Sequence, residues 1–116
     1  MEIQNPVYIG IVTNINRAQF KMSAYLIAEI TVTDPVGYEK YRAKVGASLS
    51  NYNAKFLVRA GAIENLEGSW SPQRLVICEF SDMKTIREWY ASEEYQEIKK
   101  LRDDTAAFNV VSVAGI

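Results

Sequence analysis

Two apolar runs joined by a turn-rich connection, FLVRAG at 56–61 and RLVICEF at 74–80, constrain this chain more than any other feature. In the first, Phe56, Val58 and Ala60 alternate with Leu57, Arg59 and Gly61. In the second, Leu75, Ile77 and Glu79 alternate with Val76, Cys78 and Phe80, so both carry the period of two expected of strands. Between them lie Glu67-Gly68-Ser69-Trp70 and Pro72, a cluster of turn formers that favours a long antiparallel hairpin. Gly61 is placed to allow a bulge or a close backbone approach.

The flanking segments supply the rest of one domain. Ala24 to Val32 reads as a strand with Leu26, Ala28, Ile30 and Val32 on a wholly apolar face, and Tyr25, Ile27, Glu29 and Thr31 on the other. Thr33-Asp34-Pro35 switches the period: Asp34 can accept from the free amides of a helix, and Pro35 suits its first position. Tyr38, Tyr41, Val45, Leu49 and Tyr52 then recur at helical spacing, with Gly37 and Gly46 weakening the helix without breaking it. After the hairpin, Ser81 or Asp82 can cap a second helix whose stripe is Met83, Ile86, Trp89, Tyr90, Tyr95, Ile98 and Leu101, with a second cap or kink at Ser92. FNVVSV at 108–113 closes the chain as a strand.

The order strand, helix, strand, strand, helix, strand, with right-handed crossovers, places both helices on one face of a four-stranded antiparallel sheet. This α+β arrangement is ferredoxin-like. Residues 1–21 form an N-terminal extension ahead of the domain at 22–116; their run Pro6 to Val12 predicts an extra edge strand or an arm on a partner subunit.

At 116 residues, 48% apolar and 23% charged, the chain is long enough to bury a core unaided. A net charge of −1 with no basic block argues against nucleic acid as a partner, and no run suits a membrane span or signal peptide, so a cytoplasmic protein is expected. The lone Cys78, inside an apolar run, reads as a buried thiol in a reducing compartment. There is no histidine, which removes histidine-based nucleophilic sites and most zinc and haem sites, so neither metal nor cofactor is expected.

Two helices cover one sheet face only. The other would expose Tyr25, Ile27, Leu57 and Leu75, which predicts a homodimer formed sheet to sheet. With Leu26, Val58 and Val76 toward the helices, strict alternation sends Glu29, Arg59 and Glu79 into the space between the sheets, where they form the candidate catalytic cluster. Arg59 would offset one carboxylate and the other would serve as general acid or base. A salt bridge that only fixes the dimer is the competing reading. Glu67, Trp70, Trp89, Tyr90, Tyr95 and Arg102 are candidate ligand-binding residues, although the helix aromatics also suit a core, Glu67 a turn, and Arg102 a helix C-terminus.

From Met22 onward the chain resembles domain-of-unknown-function family 1330, through Thr33-Asp34-Pro35, Phe56-Leu57-Val58-Arg59-Ala60-Gly61, Glu67-Gly68-Ser69-Trp70, Arg74 through Glu79-Phe80, Trp89-Tyr90-Ala91-Ser92-Glu93-Glu94-Tyr95, and Arg102. Ala60 is a departure, since the family prefers glycine there. The resemblance implies a dimeric α/β barrel, a superfamily spanning cofactor-independent monooxygenases, lactone isomerases, haem enzymes and sensing domains, and so selects no function. The expectation is a homodimer binding an unknown small molecule, either as a cofactor-independent enzyme using Glu29, Arg59 and Glu79, or as a non-catalytic ligand-binding or stress-associated module.

Overall fold

The computed structural model describes residues 23–116, so the expected N-terminal strand or arm lies outside the described residues. Strand β1 (Ala24–Val32) buries alternate residues, as its pattern requires. Helix α1 (Pro35–Ser50) starts where Asp34, itself extended, accepts a hydrogen bond from the amide of Gly37 at 3.1 Å. Thr105 fixes this junction from the far end of the chain, its carbonyl accepting from the amides of Thr33 (2.8 Å) and Asp34 (2.9 Å).

Strands β2 (Lys55–Arg59) and β3 (Arg74–Phe80) pair antiparallel, as the hairpin pattern predicts. Asp82 caps helix α2 (Met83–Ala91), and its carboxylate accepts from the amide of Thr85 at 2.7 Å. Ser92 then ends α2 and starts helix α3 (Glu93–Lys99): its hydroxyl donates to the carbonyl of Trp89 at 2.7 Å and accepts from the amide of Tyr95 at 3.1 Å. A short 3-10 turn (Lys100–Arg102) leads to strand β4 (Ala106–Ala114).

The sheet order is β2-β3-β1-β4, and the pairs β1/β3, β1/β4 and β2/β3 are all antiparallel. Ala24, Leu26, Ala28 and Ile30 of β1, with Cys78 and Phe80 of β3, pack beneath Tyr38, Tyr41, Val45, Leu49, Ile86, Trp89 and Tyr95 of the helices. Among the described residues no helix lies over the opposite face: Leu57 is 50% and Val111 58% exposed.

One register detail departs from strict alternation. Phe56 lies opposite Cys78, but the next residue of β3, Ile77, lies opposite Val58, and Val76 opposite Arg59. Leu57 is the extra residue of a β-bulge, which reverses the parity of the strand after Phe56. The bulge therefore sits ahead of Gly61, and Val58 faces away from the helices rather than toward them. Beyond it, Ala60 adopts a left-handed backbone (φ 59°) while its amide donates to the carbonyl of Leu75 at 2.9 Å. A left-handed residue there accounts for the glycine that the resemblance leads one to expect.

Candidate functional site

Three of the rows of side chains on the helix-covered face of the sheet frame the candidate site. Ala28 at its centre is flanked by Val76 and Val110, with Arg59 beyond Val76 on the edge strand. Arg74, Ile30 and Phe108 form the row on one side, and Phe56, Cys78, Leu26 and Ser112 the row on the other. The small side chain of Ala28 leaves space under α1, and a cavity opens there, roofed by Tyr38, Tyr41, Val45, Leu49, Trp89 and Tyr95. Counted out to its mouth, the space between these side chains is about 560 Å³. The enclosed part is about 50 Å³, room for one or two waters, so any larger guest has to extend into the open mouth.

Its polar groups are phenols and guanidiniums. The hydroxyls of Tyr41 and Tyr95 share a buried hydrogen bond of 2.9 Å between α1 and α3. Burial raises both phenols above the ordinary tyrosine value, so both are neutral near pH 7. Burial also raises Tyr38, although the cations of Arg74, Arg59 and Arg42 act in the other direction. Trp89 is 2% exposed; its ring centroid is 4.0 Å from that of Tyr95, and its indole N–H donates to the hydroxyl of Ser48 at 3.0 Å. Burial pushes the Cys78 thiol up to about 11, which makes it an unreactive wall at neutral pH.

Arg42, Arg59, Arg74 and Arg102 reach the lining, and among the described residues no aspartate or glutamate does. Arg59 lies over the Phe56 ring at 4.2 Å from its centroid and donates through Nη2 to the carbonyl of Arg42 at 3.0 Å. Arg102 lies over Phe108 at 3.8 Å, and Arg74 over Tyr38 at 5.4 Å. Arg42 pairs with Glu39 at 3.1 Å.

The expected cluster of Glu29, Arg59 and Glu79 does not come together. The bulge at Leu57 turns Arg59 into the helix-side cavity, while Glu29 and Glu79 stay on the open face. There Glu29 accepts from the indole N–H of Trp70 at 3.0 Å and from the Asn109 side chain at 3.4 Å, and Glu79 pairs with Lys55 at 3.3 Å. Trp70 thus reaches the open face from the 60–73 connection, and Glu67 lies exposed in the same connection; neither lines the cavity. Trp89, Tyr90, Tyr95 and Arg102 all do. Tyr38, Tyr41 and Arg74 join them unanticipated. Arg74 was findable, since it shares the parity of Val76 and Cys78; the two tyrosines read as packing and their spacing holds no signal of a cavity.

Among the described residues no group of three or more Cys, Asp or Glu side chains could hold a metal ion, and no helix is long and apolar enough to cross a membrane.

Topology and layering define a ferredoxin-like α+β domain, with its candidate site between sheet and helices. The chain belongs to the family described as Domain of unknown function (DUF1330), whose model matches residues 23–116. A Rhodopseudomonas palustris protein of unknown function is similar in structure at a TM-score of 0.69, with 12% identity over 99% of this chain and 95% of its own. SnoaB, a cofactor-independent oxygenase from Streptomyces nogalater, is similar at 0.54, with 12% identity over 78% of this chain and 90% of its own. A dimeric Bacteroides fragilis protein of unknown function and ferredoxin-like fold is similar at 0.54, with 13% identity over 78% and 93%. At such identities the likeness is one of fold. No curated protein matches the chain.

Proposed function

We propose that this protein is a homodimer that binds a small organic molecule in the cavity between its sheet and helices. One observation carries the reading: a pocket of apolar and aromatic side chains at the centre of the fold, kept open by Ala28 and supplied with a few convergent polar groups. Pockets of that composition are the usual form of small-molecule sites. We put the second copy on the open face, where no helix of the described residues covers Ile27, Leu57, Leu75, Ile77, Val111 and Val113, although Trp70 reaches Glu29 there from the 60–73 connection. An apolar face of that extent favours association, and the B. fragilis protein of similar fold is described as dimeric.

On this reading Glu29 and Glu79, each already paired, belong to the dimer face, where they hold register and position Trp70 rather than perform acid–base chemistry. A catalytic version of the site is favoured by one observation, the buried Tyr41–Tyr95 pair, whose neutral hydroxyls can donate to a substrate oxygen that acquires charge. The oxygenase SnoaB shares the fold and is described as cofactor-independent, in keeping with such chemistry.

The test is a ligand-observed NMR screen of monocyclic and bicyclic aromatic acids, amides and alcohols against the wild type, Ala28→Val and Ala28→Leu. Binding should weaken with each added methyl group at Ala28. No binding to the wild type, or binding indifferent to both substitutions, would refute the cavity as the site.

A further inference from the structure

The charge balance of the cavity narrows the ligand. Among the described residues four guanidiniums reach its lining and no carboxylate does. Only Arg42 has an acidic partner, Glu39; Arg59, Arg74 and Arg102 make no ion pair among the described residues. Cations gathered at an apolar space without counter-charges repel one another unless an anion joins them.

Three of the four are also held in a fixed attitude. Arg59 is stacked on Phe56 and tied by one Nη2–H to the carbonyl of Arg42, Arg102 is stacked on Phe108, and Arg74 lies over Tyr38. A guanidinium over a ring keeps donors at its edge, although one of Arg59's is taken by the Arg42 carbonyl and Arg74 also bonds toward the Tyr38 hydroxyl. The edge is the part that takes a carboxylate in a two-point hydrogen-bonded fork. Arg59 on β2 is bonded to the backbone of Arg42, and Arg74 on β3 lies over Tyr38, so these cations gather on the β2–β3 side of the cavity, whereas Arg102 lies over Phe108 on the β4 side. Inward of these cations the lining includes Ala28, Val76, Cys78 and Trp89, none of which is charged.

We infer that the ligand is a small, flat organic acid, its carboxylate held on the β2–β3 side by Arg59 and Arg74 and its aromatic or unsaturated body lying over Ala28 toward Trp89. The inference rests on the cavity being the binding site and adds the charge class of what it takes. The narrow interior excludes bulky bodies, and the two cations without ion pairs on the β2–β3 side, Arg59 and Arg74, suit one carboxylate there.

The test compares trans-cinnamate with trans-cinnamamide, which has the same shape and no charge, by isothermal titration at pH 7.5 against the wild type, Arg59→Gln, Arg74→Gln and Arg59→Lys, each checked for native circular dichroism. The acid should bind the wild type at least about tenfold more tightly than the amide, the worth of a charge-assisted hydrogen bond. That gap should shrink in both glutamine variants, and in Arg59→Lys, which keeps the charge but loses the fork, it should be intermediate. Raising the salt from about 0.05 to 0.5 M should weaken the acid and leave the amide unchanged. Equal binding of acid and amide, or a gap that persists in folded Arg59→Gln and Arg74→Gln, would overturn the anion inference while leaving the cavity reading intact. If neither probe binds but neutral members of the aromatic screen do, the anion inference again fails alone. If nothing in the screen binds, both fall.

Discussion

Replacing Ser48 by alanine removes a single oxygen from the buried seam between α1 and α2. Ser48 is 0% exposed; its hydroxyl donates to the carbonyl of Val45 at 2.7 Å and accepts from the indole N–H of Trp89 at 3.0 Å. Trp89 cannot turn to water, because its ring is packed against Phe80 at 5.7 Å and Tyr95 at 4.0 Å between centroids. The substitution therefore strands a desolvated donor, at a cost of about 1–3 kcal/mol. Alanine's better helix propensity returns a few tenths of that. The net loss is roughly 1–2 kcal/mol, which for a domain of this size lowers the midpoint of thermal unfolding by roughly 4–8 °C. Urea unfolding followed by Trp89 emission in a Trp70→Phe background, at one fixed protein concentration, measures it. A double-mutant cycle with Trp89→Phe should recover a coupling of about 1 kcal/mol. A Ser48→Ala protein as stable as its parent would refute the claim that the indole is sealed from water, and with it the description of this cavity wall as rigid.

Gly37→Ala should destabilise the protein by about 1 kcal/mol although helix propensity alone predicts a gain of similar size, because a Cβ there would sit 2.5 Å from Oδ2 of Asp34 and 2.8 Å from Cγ2 of Thr105 and displace the helix cap; thermal unfolding of the variant gives the sign directly. Stability should fall as pH rises from ~8.5, because Cys78 has its folded value raised to about 11 and keeps its proton after the unfolded chain has lost one; from ~10 the buried tyrosines act in the same direction. Urea midpoints between pH 8 and 10.5 should show this decline, and Cys78→Ala should flatten its first part; a midpoint that does not change over that range would contradict the burial of these groups. Iodoacetamide should modify Cys78 at pH 7.5 only at the rate of unfolding, and rapid modification of the folded protein would count against a buried thiol. In solution the mass should be that of two chains, and Ile77→Lys on the open face should reduce it to one; a wild-type monomer would remove the sheet-to-sheet dimer.

The elements other than β2 were legible because their periods hold between recognisable breaks: Leu26, Ala28 and Ile30 alternate cleanly, and Asp34, Asp82 and Ser92 all sit where the first turn of a helix needs an acceptor. The site was legible only in part, and the reason lies in one residue. Phe56-Leu57-Val58 is uniformly apolar and β-prone, so nothing in it distinguishes a straight strand from one carrying an extra residue at Leu57, yet that residue decides whether Arg59 meets Glu29 and Glu79 or the cavity. Gly61, the residue that invites a bulge on conformational grounds, does not host it; the left-handed position falls on Ala60. Trp70 and Glu29 meet across a sequence separation no local pattern reports. The cavity itself depends on Ala28, which in the sequence is one more small apolar residue on a core face and shows its consequence only beneath the tyrosines of α1.

Methyl-resolved NMR during titration with trans-cinnamate tells the helix-side cavity from the open face, because alternate residues of each strand report on opposite faces. Binding in the helix-side cavity predicts shifts at Ala28, Val45, Val76 and Val110, with Ile27, Ile77, Val111 and Val113 unmoved. Shifts confined to the second set would place the ligand on the open face and contradict the account.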